Sequence, residues 1–123
     1  MVKQIRTIIR KGDLAALCAD AISELERAVR MFPEWPSELH FHDEEHQEDQ
    51  LKITRAINDN GRASGSTIFC EEFLEFLQAA RKPGNQVAAR IELVQAMAML
   101  LRIYCHLNDY VPHRGTEGTE VKL

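Results

Sequence analysis

The sequence predicts an all-α protein, a four-helix bundle in a single domain. Three observations lead there. Apolar residues recur at three- and four-residue spacing over several long runs. The four prolines and six glycines cluster outside those runs. The longest run, Val87 to Tyr104, is apolar on nearly every side, as a helix covered from several directions must be.

At 123 residues the chain is long enough for one real core and too short for two. The expected layout is an N-terminal segment over 1–12, one all-α domain over 13–110 and a polar, flexible tail over 111–123. Residues 1–11 mix Ile5, Ile8 and Ile9 with Lys3, Arg6, Arg10 and Lys11, a short amphipathic piece that fits either helix or extended chain. Gly12 ends it, and Asp13 is the expected N-cap of the first helix. Leu14, Leu17, Cys18, Ala21, Ile22, Leu25, Ala28 and Val29 then hold a helical stripe until Pro33 disfavours helix at the residue before it. Trp35 lies in the following Pro-rich connection, either anchoring the loop in the core or offering a flat stacking surface for a base.

A second helix is expected from Glu44 to Asn58, with acids in its first turn and Lys52 and Arg55 facing water or anionic phosphates. Asn58-Asp59-Asn60-Gly61 is a turn. Ser66 or Thr67 is the expected cap of a third helix with Phe69, Phe73, Phe76 and Leu77 on one face and Glu71, Glu72 and Glu75 elsewhere. Pro83-Gly84-Asn85 breaks the chain before the last helix.

Composition removes some classes of function. A net charge of −4 argues against a general binder of nucleic-acid polymer or anionic membrane. Arg90, Glu92, Gln95 and Arg102 interrupt the Val87–Leu107 segment, so it reads as a buried helix and not a membrane span. Cys18, Cys70 and Cys105 have no metal or disulfide spacing and read as small core residues in a reducing compartment. With no apolar leader, the expected location is cytoplasmic.

Chemistry concentrates between Ile68 and Leu107. Glu72 and Glu75 share a helix face, with Glu71 beside them, and Glu92 and Gln95 share another. If the two helices pack antiparallel, these oxygens converge, as hard divalent cations require. Glu92 stands among Ala88, Ala96, Met99 and Ile103, where a carboxylate needs a cation, a donor or a salt bridge, for instance to Arg90 or Arg102. Two weaker candidates lie elsewhere. His42 and His46 stand one turn apart with His40 near, but they match no strong metal motif. Arg62, in a Gly/Ser loop without the Walker spacing, is a candidate phosphate ligand.

Glu-Glu-x-x-Glu, sixteen residues, then Glu-x-x-Gln resembles the signature of MazG-like nucleotide pyrophosphohydrolases, the all-α NTP pyrophosphatase superfamily. The stretch NDNGRASGSTIFCEEFLEFLQAARKPGN followed by RIELVQAMAMLLRIY is similar to small phage and prophage members, over about Asn58 to Leu107. The usual pattern ends in Asp where this chain has Gln95. The resemblance implies Mg²⁺-dependent (or Mn²⁺-dependent) hydrolysis of an NTP or dNTP to monophosphate and pyrophosphate. It implies Glu72, Glu75, Glu92 and position 95 as metal ligands, with Glu71 a further ligand or the group that orients the water. Trp35, Arg62 and Arg102 are candidate substrate contacts. The expected assembly is a homodimer or homotetramer, since the last helix carries more apolar surface than three short helices cover. The alternative is a non-catalytic helical scaffold, favoured by the uncharged amide at Gln95.

Overall fold

The computed structural model describes residues 3–39 and 43–111 and is all-helical, with no strand among the described residues. Its helices are α1 (Lys11–Met31), α2 (Glu44–Asp59), α3 (Gly65–Ala80) and α4 (Gln86–Cys105), followed by a 3-10 turn over Leu107–Asp109. His40 and His42 of the candidate histidine cluster, and the tail from 112 onward, lie outside the described residues.

Local chemistry fixes the helix ends. The Asp43 side chain accepts from the backbone N–H of His46 at 2.7 Å and starts α2. Helix α3 begins earlier than the expected Ser66 or Thr67 cap. Ser64 is the cap, and Ser64 and Thr67 satisfy one another's backbone N–H groups in a reciprocal box. Helix α1 also begins early, at Lys11, with Arg10 at the N-cap position and no side-chain capping hydrogen bond there. Gly12 and Asp13 therefore sit inside its first turn, where the Asp13 charge still suits the helix dipole. Residues 3–10 are not helical.

The turns after α2 and α3 depend on glycine. Gly61 and Gly84 adopt φ of 73° and 72°, the left-handed region that other residues enter at a cost. Asn85 bridges the second turn, its side-chain N–H donating to the carbonyl of Ala79 at 2.9 Å.

Three of the four helices pack. Helix α3 is the centre, with α4 along one side and α2 along another. Leu77, 1% exposed, Phe76 and Ala89 form the core, flanked by Phe73, Leu74, Ala79 and Ala80. Phe73 stacks on Phe69 with ring centroids 5.8 Å apart and meets Phe76 at 5.9 Å. Leu51 and Thr54 seat α2. The buried amide of Gln47 accepts from Arg81 Nε at 2.8 Å, tying the start of α2 to the end of α3. On α4, Ala89, Glu92, Ala96, Met99 and Ile103 are the covered positions that follow a three-four spacing, the period of a helix seam.

Helix α1 packs along none of the others, so the expected four-helix bundle is a three-helix bundle with a separate first helix. Several expectations change with it. Cys18 and Cys70 are exposed and Cys105 is half-buried, because the faces that carry them are not covered within this chain. Trp35 is 87% exposed and does not anchor the core. Arg102 does not reach Glu92. Its guanidinium donates to the hydroxyl of Thr7 at 3.2 and 3.3 Å. Among the described residues, no helix is long and apolar enough to cross a membrane.

Truncating the best-buried side chain tests this core. Leu77→Ala is expected to lower stability by about 2–5 kcal/mol through lost contacts and a cavity. Gly84→Ala is expected to cost about 1–2 kcal/mol through its left-handed backbone. Chemical denaturation of both variants measures the two effects.

Candidate metal centre

Packing α4 against α3 brings residues twenty positions apart face to face. One carboxylate oxygen from each of Glu72, Glu75 and Glu92 lies within 4.8 Å of the others. All three side chains are half-buried. One oxygen of Glu72 and one of Glu92 are shielded from solvent and have no hydrogen-bond partner among the described residues. Such an atom costs on the order of 1–3 kcal/mol or more, because it has surrendered water without replacing it. No lysine or arginine forms an ion pair with Glu92 among the described residues, so the salt bridge to Arg90 or Arg102 is not made.

The surrounding charges sharpen the electrostatics. Burial, then the nearby charges of Glu92 and Glu71, push the Glu72 carboxyl above its ordinary value. Burial, then Glu72, push Glu75 up as well, with Arg55 opposing the rise. Arg55 on α2 reaches Glu75 at 3.7 Å and Glu71 at 3.9 Å, long contacts for a side chain that is itself half in solvent. It therefore offsets only a small part of the repulsion.

Glu71 stands slightly apart from the three. Its Oε1 accepts from the Asn58 side chain at 2.7 Å, and the same amide donates to the Thr67 carbonyl at 3.2 Å. Asn58 thus locks Glu71 beside the cluster, and its own carbonyl oxygen is a third shielded, unpartnered atom. The sequence assigns Asn58 to a turn and Arg55 to water or phosphate. Both instead face the acids, and the one-turn spacing of Arg55 and Asn58 on α2 is the signal that pairs them.

The other candidates are more scattered. Gln95 is exposed one turn beyond Glu92, and no hydrogen bond joins it to the acids. Arg62 is exposed after the end of α2. Arg102 lines a cavity of about 450 Å³ along the same α3–α4 seam, together with Ile68, Met99, Ile103 and Tyr110. Ile68 precedes Glu72 by one turn, so this mostly apolar hollow adjoins the acids. Gly65 at its wall is required by close approach: a Cβ there would lie 2.6 Å from the Tyr110 hydroxyl. Beneath it, Asp109 accepts from Nδ1 of buried His106 at 3.1 Å, leaving Nε2 to accept the Thr7 hydroxyl at 2.7 Å.

Three half-buried carboxylates, two of them with a shielded oxygen that has no partner among the described residues and the third met only by the long contact to Arg55, fit a hard divalent cation, whose preferred ligands are carboxylate oxygens. Comparison with protein-family models, curated proteins and solved structures found no match to this chain.

The raised carboxyls set the sign of a pH effect in the metal-free protein. The folded state holds protons on Glu72 and Glu75 at pH values where the unfolded chain has already released them. Stability from these groups therefore falls as pH rises from the ordinary carboxylate range through the raised one. Melting without metal is expected to shift upward as pH is lowered from neutral toward about 5. Glu72→Gln should raise the neutral-pH melting temperature and flatten that slope. A wild-type slope of the opposite sign that the variant leaves unchanged would remove the electrostatic assignment.

Proposed function

We propose that this chain is a Mg²⁺-dependent nucleotide pyrophosphohydrolase, with Mn²⁺ as a substitute, acting on an NTP or dNTP at the bond between the α and β phosphates. The observation that carries the proposal is the convergence of Glu72, Glu75 and Glu92 with two shielded, unpartnered oxygens. The reaction class comes from the resemblance of the two acidic motifs and their spacing to MazG-like enzymes. The adjoining cavity supports the same reading. A largely apolar hollow edged by Arg102, next to an acidic cation site, suits a ligand with a flat organic body and a polyphosphate tail.

Glu72, Glu75 and Glu92 would hold a divalent cation, which would supply Lewis-acid activation of a water and charge neutralisation at the phosphates. The protein's own groups do the positioning. Asn58 fixes Glu71 within reach of the cluster, where a carboxylate can accept a proton from an attacking water. Arg55 stands at the outer edge of the acids, within 3.9 Å of Glu71 and 3.7 Å of Glu75, where its charge offsets a small part of theirs. Position 95 is where this chain departs from the usual acid. Gln95 brings an amide oxygen without charge, so metal affinity should be lower than with Asp.

Three measurements test the reading. Millimolar Mg²⁺ or Mn²⁺ should raise the melting temperature, since a ligand that binds only the native state stabilises it by mass action. Pyrophosphate should be released from at least one member of a nucleotide panel. Glu92→Gln should lower that release by roughly 100-fold or more, beyond the 10–100-fold typical of outer-shell changes around a metal. Because Glu92 has no ion-pair partner among the described residues, the same substitution should leave metal-free stability equal or higher. Gln95→Asp should tighten metal binding and preserve or raise turnover. Full metal affinity and turnover in Glu92→Gln would show the site to be wrongly assigned. Silence of both wild type and Gln95→Asp on every nucleotide would leave the non-catalytic scaffold as the better account.

A further inference from the structure

Four polar side chains outside the acidic cluster form one connected run of hydrogen bonds, from Asp109 through His106 and Thr7 to Arg102. Thr7 stands in the non-helical segment before α1, 99 positions from His106 and 95 from Arg102, so only the fold brings them together. Arg102 and His106 are one turn apart at the end of α4, and both reach the same hydroxyl.

Each link has one direction. The Asp109 carboxylate can only accept, so Nδ1 of His106 carries the proton that joins them at 3.1 Å. In the neutral imidazole Nε2 is then an acceptor, and the Thr7 hydroxyl donates to it at 2.7 Å. With that proton spent, the Thr7 oxygen offers its two lone pairs to Nε–H and one Nη2–H of Arg102, at 3.3 and 3.2 Å. His106 is 7% exposed and packs against the ring of Tyr110, which shuts the middle of the run off from water.

Arg102 is thereby held by one edge of its guanidinium. Among the described residues it makes no further hydrogen bond and no ion pair. The donors left over include the parallel Nη1–H and Nη2–H pair at the outer end, the fork that matches two oxygens of a phosphate. A carboxylate in place of Thr7 would also orient the guanidinium but would cancel its charge. A hydroxyl orients it and leaves the charge for an anion. Asp109 stands two links away, behind His106, and Lys3 adds a second cation to the lining of the same cavity of about 450 Å³.

We propose that Thr7, His106 and Asp109 are positioning residues that present the outer fork of Arg102 to an anionic group of the ligand at this cavity. The inference rests on the proposed reading of the cavity as the seat of a nucleotide, and it names the residues that prepare the phosphate contact. Fixing a long side chain before the ligand arrives removes an ordering cost otherwise met on binding.

Inorganic pyrophosphate is the probe, titrated into the full-length protein with Mg²⁺ present. The nitrogen-15 side-chain signals of Arg102, assigned by their loss in Arg102→Lys, report binding by NMR. Wild type should show a saturable shift. Thr7→Ser keeps the hydroxyl and should bind within about twofold of wild type, whereas Thr7→Val keeps the shape, loses the hydroxyl and should bind about tenfold more weakly. Asp109→Ala lets His106 take the tautomer whose Nε2 donates, so three donors crowd two lone pairs, and affinity should fall about threefold. Thr7 lies outside the helices and the Asp109 side chain is more than half exposed, so circular dichroism of all three variants should match wild type. On any nucleotide that is hydrolysed, Thr7→Val should raise KM about tenfold and leave kcat within about twofold, a split that loss of folded protein does not produce. Pyrophosphate bound at Arg102 beside nucleotides that all stay intact would support this inference and remove the reaction. A nucleotide hydrolysed with the same KM by wild type and Thr7→Val would keep the reaction and overturn the inference. Equal pyrophosphate affinity in wild type and Thr7→Val, or no shift at Arg102 with millimolar probe, would overturn it as well.

Discussion

The packing of α3 on α4 is the contact on which everything else rests. It is formed by Phe76, Leu77 and Ala89, with Ala96 a further small residue that allows close approach along α4. Burying such side chains contributes roughly 25 cal/mol for each Å² of apolar area removed from water. The same seam carries Glu72, Glu75 and Glu92, because the three-four spacing that aligns the apolar residues aligns the acids with them. Apolar burial thus holds three like charges together against their repulsion. The fold itself carries the cost of that repulsion.

Around that seam, polar groups divide into two sets. Arg81 with Gln47, Asn85 with the Ala79 carbonyl, and the box of Ser64 with Thr67 satisfy one another and close the ends of the bundle. The shielded oxygens of Glu72, Glu92 and Asn58 are not satisfied. The asymmetry matters, since native interiors pair nearly all of their buried polar atoms. Three unpaired acceptors in one neighbourhood, with no donor among them, call for a positively charged or donating group. Arg55 does not fill that need because its long contacts are made at the solvent edge.

The chain's other unmet demand is apolar rather than electrostatic, and it lies on α1 and the outer side of α4. The two demands are arranged on opposite sides of α4. Its inner side meets α3 through the seam that includes Glu92, while Val87, Ile91 and Val94 remain outside. A helix that is apolar nearly all round can serve both needs at once, which a helix with a single apolar stripe cannot.

Much of this was legible in the sequence. Periodicity marked the helices to within a few residues at their ends, and Pro33, Gly61 and Pro83-Gly84 marked the breaks, because local backbone preference and side-chain spacing act over a turn or two. The pairing of Glu72 and Glu75 with Glu92 was legible too, since a carboxylate in an apolar stripe must be met by something on the adjoining helix. Tertiary structure alone decided the rest. It set Asn58 and Arg55 against the acids, sent Arg102 to Thr7, exposed Trp35, Cys18 and Cys70, and left α1 outside the bundle. A stripe in the sequence states that a face is apolar and not which surface will cover it. That choice depends on where the chain's ends are anchored and on contacts between residues far apart in sequence, which spacing within one helix does not encode.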